Sequence, residues 1–308
     1  MFDPDLARQV AAALQTNEAY IEKDWHLVRA LGVIAGLPVD GISPALSGGT
    51  SLATAWQLIH RFSEDIDFKV AVEAKTPSAA RKLRSAYRDK IIDALTGAGF
   101  VLDGEPLIGN KSQFFRASFH YGPLSPPAPG IRPSLQIEMS FSGTYRPPTQ
   151  RSVQSLIGRA AKTAPEVPVV ICVDPLETAA DKVAALAWRS SVRDRASKDD
   201  DPSVVRHLHD LAALKILVHD KEELRSLALA LLQTDARRTG KRDADGLTLL
   251  RAMLPALVRD PLWRNEYEEY VRNVSFGRDD DRISFDQAIA ACGELVTYIL
   301  QSAEHRSS

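Results

Sequence analysis

Apolar positions along this chain follow two periods. Over 65–72, 114–121 and 134–141 they alternate with polar residues, the mark of strands with one buried face. Elsewhere they recur every three to four residues. Tyr20, Trp25, Val28 and Leu31 predict a helix over 17–35, with Asn17 as its cap and Gly36-Leu37-Pro38 as its stop, preceded by another over 4–15. Leu52, Ala55, Trp56 and Ile59 predict a helix entered through Gly48-Gly49-Thr50-Ser51 and closed by Phe62-Ser63-Glu64. A helix over 78–96 ends at Gly97-Ala98-Gly99. Between the second and third strands, 122–133 holds five prolines and is expected to form a stiff hairpin loop.

A β-branched strand over 168–173 leads into Asp174-Pro175, the cap and first-turn proline of a helix running to about 189. From there the pattern is helical, over 203–219, 221–233, 243–259, 261–273 and 284–303. The expectation is an α/β domain over 1–173 and an all-helical domain over 174–308.

Composition adds mainly exclusions. With 44% hydrophobic and 25% charged residues among 308, disorder, collagen-like repeats and rods are excluded. No apolar run is long enough to cross a membrane, and the first ten residues lack a basic-then-apolar leader, so a cytoplasmic protein is expected. Cys172 and Cys292 match no metal-ligand spacing and are read as reduced core residues. Net charge is −2, so any polyanion has to be held by local clusters such as those at 81–90 or 237–242, which otherwise read as solvated surface. The triplets Asp199-Asp200-Asp201 and Asp279-Asp280-Asp281 read as solvated connections rather than ligands. His207 and His209, two apart on a helix, point to different faces and do not make a shared metal site.

The chemistry concentrates around Asp65-Ile66-Asp67. Two residues apart on a strand, both carboxylates share a face, and like charges so close call for a cation, such as a hard divalent ion. The preceding Gly48-Gly49-Thr50-Ser51 opens a helix, where glycines admit a phosphate and free N–H groups meet it. A third acid, Glu138, lies inside the strand over 134–141 with Gln136 and Ser140 on its face.

Gly48-Gly49-Thr50-Ser51 through Arg61-Phe62-Ser63-Glu64-Asp65-Ile66-Asp67-Phe68 resembles the signature of the AbiEii and MenT group of nucleotidyltransferase toxins, in the DNA polymerase β superfamily. Glu22-Lys23-Asp24-Trp25 resembles that family's leading helix, Pro175-Leu176-Glu177 to Lys182 its lysine helix, and Arg206-His207-Leu208-His209-Asp210-Leu211 its R-D-x-x-D-L motif, with His207 in place of the first aspartate. The resemblance covers about 18–215.

It implies a polymerase β-type core, with a mixed sheet and flanking helices, and a helical C-terminal lobe contributing Lys182 and Asp210 to the cleft. Asp65, Asp67 and Glu138 would bind magnesium. Gly48, Gly49, Thr50 and Ser51 would hold the NTP, Lys182 would neutralise its phosphates, and Asp210 would orient the lysine or assist the incoming hydroxyl. The implied activity is transfer of NMP from NTP to the 3′ end of tRNA, blocking translation, by a toxin paired with an antitoxin in toxin–antitoxin or abortive-infection defence. Transfer to a protein or small molecule, and a degenerate nucleotide-binding module, are the alternatives.

Overall fold

In β2 and β5 every second side chain is buried, and Ile66, Phe68 and Val70 meet Leu135, Ile137 and Met139 on one face of a sheet. A computed structural model describes residues 2–126, 128, 131–198, 200–218, 221–238, 245–276 and 282–304. The chain divides into one unit of Met1–Asp174 with Phe276–Arg278 and another of Pro175–Ser275 with Asp279–Ser308.

The first unit runs α1 (Pro4–Ala13), α2 (Glu18–Ala35), β1 (Ile42–Ser47), α3 (Gly48–Thr50), β2 (Asp65–Val72), α4 (Pro77–Gly97), β3 (Val101–Gly109), β4 (Phe114–His120), β5 (Ser134–Ser140), β6 (Thr149–Val153), α5 (Leu156–Ala160) and β7 (Val167–Cys172). Its seven strands are ordered β3-β4-β5-β2-β1-β7-β6. The sheet is mixed: β2 runs parallel to β5 and β1 to β7, while the remaining neighbours are antiparallel. Leu27, Leu31 and Ile34 of α2, and Tyr87, Ile91 and Leu95 of α4, cover the apolar face of the sheet. Each such fully buried side chain contributes about 2 kcal/mol. The helices start at satisfied caps, Asp3 before Pro4, Asn17 accepting from Ala19 N at 2.9 Å, and Thr76 accepting from Ala79 N at 3.1 Å.

Three strands lack the expected alternation. β1 carries Pro44, β3 is an edge strand containing Gly104 and Pro106 with a register shift between Asp103 and Leu107, and β6 is almost wholly exposed. The helix after Gly48 also stops early. After α3 the chain is π-helical over Ser51–Ala55 and leaves helical geometry at Gln57, whose φ is 54°. Trp56 Nε1 donates to Val173 O at 3.2 Å, and Arg61 and Ser63 turn back to lie against Gly49. The tertiary site, rather than the apolar spacing, sets where this helix ends.

The second unit consists of α6 (Pro175–Val192), α7 (Arg206–Val218), α8 (Glu222–Arg238), α9 (Gly246–Arg259), α10 (Pro261–Val274) and α11 (Phe285–Glu304). Ala179, Ala180, Ala184 and Ala187 are buried along α6, and such small side chains let neighbouring helices approach closely. The acidic stretch after α6 is less solvated than expected. Asp200 pairs with Arg193 at 2.7 Å, and Asp201 accepts from Arg189 at 2.9 Å and caps Ser203 N at 3.0 Å. Asp199, the triplet 279–281 and the basic stretch 239–242 lie outside the described residues, as do the side chains of Arg237 and Arg238. Cys172 and Cys292 are free and buried in separate units. Among the described residues, no helix is long and apolar enough to cross a membrane.

Candidate active site

β2 brings Asp65 and Asp67 to the polar face of the sheet, and its parallel pairing sets Asp67 opposite Glu138 and Asp65 opposite Gln136. On the other side of β2, Ser47 pairs with Asp67, so the chain enters its turn directly beside the carboxylate. Gly48 has φ +69°, and a Cβ there would overlap Asp67 Oδ2 and stand 3.1 Å from Cγ, so no larger residue fits. A Cβ on Gly49 would meet Arg61 Nη2 at 2.6 Å and Ser63 Oγ at 2.9 Å. Arg61 is itself buried, with Nη1 donating to Phe62 O at 2.8 Å. Thr50 and Ser51 are fully buried. The Thr50 hydroxyl donates to Asp65 O, whereas the buried hydroxyl of Ser51 has no hydrogen-bond partner among the described residues; burial pushes the Cys172 thiol up to about 11. What the turn offers an anion is its backbone and the unpartnered Ser51 hydroxyl.

The carboxylates are already compensated. Arg132 donates from Nη2 to Asp65 Oδ1 at 2.7 Å and from Nε to Glu64 Oε2 at 2.9 Å. Glu138 Oε1 accepts from Arg116 Nε at 2.8 Å and from Gln136 Nε2 at 2.6 Å. Among the described residues no three acidic, histidine or cysteine side chains converge as a ligand set, and Asp65 and Glu138 turn toward these guanidinium groups. Sequence reasoning passed over Arg116 and Arg132. Arg132 reaches Asp65 across 67 positions from a proline-rich stretch with no periodicity, so no local signal marks it.

The Glu22-Lys23-Asp24 stretch holds this region together. Glu22 accepts from Leu124 N and Ser125 N, both at 2.7 Å, gripping the proline-rich loop. Lys23 donates to Arg132 O at 3.0 Å and stands 3.3 Å from Glu64. Burial pulls the pKa of Lys23 down, against the opposing pull of Glu64. Asp24 accepts from Leu156 N at 2.7 Å, and burial raises its pKa to about 6.

In the second unit, Lys182 of α6 and Asp210 of α7 form an ion pair at 2.7 Å, with side-chain exposures of 6% and 0%. Burial to that degree is inconsistent with a solvated helix face. His209 Nδ1 lies 3.4 Å from Asp210 Oδ1. His207 has both ring nitrogens buried without a hydrogen-bond partner, and burial, with the nearby Lys182 charge, lowers its pKa well below the usual histidine value. A neutral ring therefore stands where the resembled motif has an anion.

Comparison with curated protein sequences finds no match. Among solved structures, the nucleotidyltransferase toxin MenT4 from Mycobacterium tuberculosis H37Rv superposes with a TM-score of 0.56 at 17% identity, covering 98% of this chain and 99% of that one. The likeness establishes a shared fold. The profile of the family described as nucleotidyl transferase AbiEii toxin, type IV toxin–antitoxin system, matches residues 35–291, a span containing the glycine turn, the three strand acids, Lys182 and Asp210. The chain therefore belongs to the AbiEii family of nucleotidyltransferase toxins.

Proposed function

We propose that this nucleotidyltransferase uses magnesium to transfer an NMP group from NTP to the 3′ end of an RNA, with tRNA as the acceptor, and so blocks translation until a cognate antitoxin relieves it. The observation that carries the reading is the in-register pair Asp67–Glu138, with Asp65 on the same face and Gly48 packed onto Asp67. Their hard oxygen donors suit Mg²⁺, which would be held by Asp65 and Asp67 with Glu138 completing the set. When bound, the ion supplies charge neutralisation and alignment of the phosphates.

The chain's own groups supply the rest. Backbone N–H groups of the Gly48–Ser51 turn bind phosphate oxygens, with the unpartnered Ser51 hydroxyl available beside them, while the Thr50 hydroxyl is engaged by Asp65 O. Lys182 would offset charge gathering on the departing pyrophosphate, and Asp210 fixes the position of its ammonium. The 3′ hydroxyl of the RNA displaces pyrophosphate from the α-phosphorus, forming one P–O bond and breaking another.

Incubating the protein with each α-labelled NTP, Mg²⁺ and either tRNA, total protein or small-molecule acceptors tests this. Label should enter RNA and be lost in Asp65→Ala and Asp67→Ala, both of which should melt as cooperatively as wild type. Full labelling by either variant would overturn the metal assignment, and label in protein alone would overturn the acceptor.

A further inference from the structure

The basic stretch of α4 is only partly surface. Arg88 is 6% exposed, and its Nη1 donates to Ser112 Oγ at 2.8 Å. Among the described residues no carboxylate lies within ion-pair distance of it, and the charges acting on it are one acid, Asp89, against two further cations, Arg84 and Arg81. A buried cation without a counter-ion is costly, and most buried arginines are paired. Burial depresses its pKa, with Asp89 pulling it up and Arg84 and Arg81 pulling it down.

A second, independent irregularity faces it. The turn joining β3 to β4 places three consecutive non-glycine residues in the left-handed region, Asn110, Lys111 and Ser112, with φ of 46°, 52° and 70°. Each such residue costs on the order of 1 kcal/mol, and runs of this kind persist where something else fixes them. Between this turn and the α4 face carrying Arg81, Ser85 and Arg88 lies an open hollow of about 660 Å³. It is lined by the exposed Arg81 and Lys111, by Ser85 and Ser112, and by the buried Arg88.

We propose that this hollow is a phosphate-binding site that takes a backbone phosphate of the RNA acceptor. The lining supplies what a phosphate oxyanion requires: three cations, two hydroxyl donors and no acid. It shares no residue with the Gly48–Asp67 turn, so it is not the triphosphate subsite. Its open mouth suits a continuous strand. With a net charge of −2 the molecule has no global attraction for a polyanion, so such local sites must supply it. The proposal rests on RNA being the acceptor.

The test is binding of labelled tRNA against KCl concentration, by fluorescence anisotropy, for wild type, Arg81→Ala/Lys111→Ala and a control pair of the same charge change, Lys162→Ala/Lys221→Ala. Both side chains of the first pair are exposed, so the fold should survive, and melting checks this. The pocket pair should lower the slope of log affinity against log salt by about one unit, one phosphate contact, while the control leaves it unchanged. Unchanged slope and affinity in the pocket pair, or an equal fall in the control, would overturn the site. Titration with inorganic phosphate separates the sources: stabilisation of wild type that vanishes in Arg88→Lys, together with RNA binding indifferent to the pocket pair, would overturn RNA as the ligand. Labelled-nucleotide transfer by wild type is scored separately. If transfer to RNA fails while the slope still falls, the acceptor assignment fails and the site stands.

Discussion

Arg132 neutralises two acids at once, Glu64 and Asp65, while half of its own side chain remains exposed. In that position it competes with any cation drawn to Asp65. Removing the guanidinium leaves adjacent carboxylates repelling one another, which lowers the stability of the metal-free protein and raises its affinity for a divalent ion. Arg132→Ala should therefore melt lower than wild type in EDTA and gain more in melting temperature from millimolar Mg²⁺ in the absence of NTP. Equal gains in the two proteins would mean that Arg132 does not shield the site. Gly48 is legible from sequence as a turn glycine, but its contact with Asp67 is not, because that contact depends on β1 and β2 pairing.

Among the elements, α2 carries two titrating groups with opposed effects. Burial raises the Asp24 pKa from 3.8 to about 6, so the folded chain holds a proton there that the unfolded chain has released, and stability falls as pH rises across that window. Burial lowers the His26 pKa from 6.5 to about 4, despite the opposing pull of Glu22, so the unfolded chain holds the extra proton and stability rises as pH climbs from 4 to 6.5. The downward shift of His207 adds to the rise. The two α2 groups largely offset each other. Asp24→Asn, which keeps an acceptor for Leu156 N, removes the falling contribution, so denaturant-measured stability should climb more steeply between pH 4 and 6.5 than in wild type. An unchanged profile would show that Asp24 ionises normally in the folded state. The helical period of α2 was readable in the sequence, whereas the roles of Glu22, Lys23 and Asp24 in holding a loop over a hundred positions away were not.

For the whole molecule, the proposed role of Lys182 and Asp210 in NTP binding can be tested by ligand-linked stability. A ligand present at a hundredfold its Kd stabilises the fold it binds by about 2.7 kcal/mol. Deleting only Lys182 would break a buried ion pair, at a cost of about 3–5 kcal/mol, and would confound binding with folding. Lys182→Met/Asp210→Leu removes both charges and should keep the second unit folded. With Mg²⁺ and NTP, wild type should melt higher, and the double variant should retain its basal melting temperature but lose most of that rise. A full rise in the double variant would show that the second unit contributes nothing to NTP binding.

The sequence by itself determined the elements whose burial is periodic, β2, β5, α2 and α4, because a strand or helix with one apolar face writes its period into the chain. It also marked which glycines and strand acids to suspect, since Gly48-Gly49 and Asp65-Ile66-Asp67 are local patterns, whereas Lys182 and Asp210 stood out only through the family resemblance. Edge strands β3 and β6 were hidden because strands with little buried surface need no alternation. Only tertiary structure decided that Asp67 and Glu138 stand in register, that Arg132 and Arg116 occupy the acids, and that Arg88 is a buried cation facing a strained turn rather than a solvated helix residue. These are contacts between residues 22 to 71 positions apart, and no local preference encodes them; they arise from strand pairing and burial acting on the folded chain.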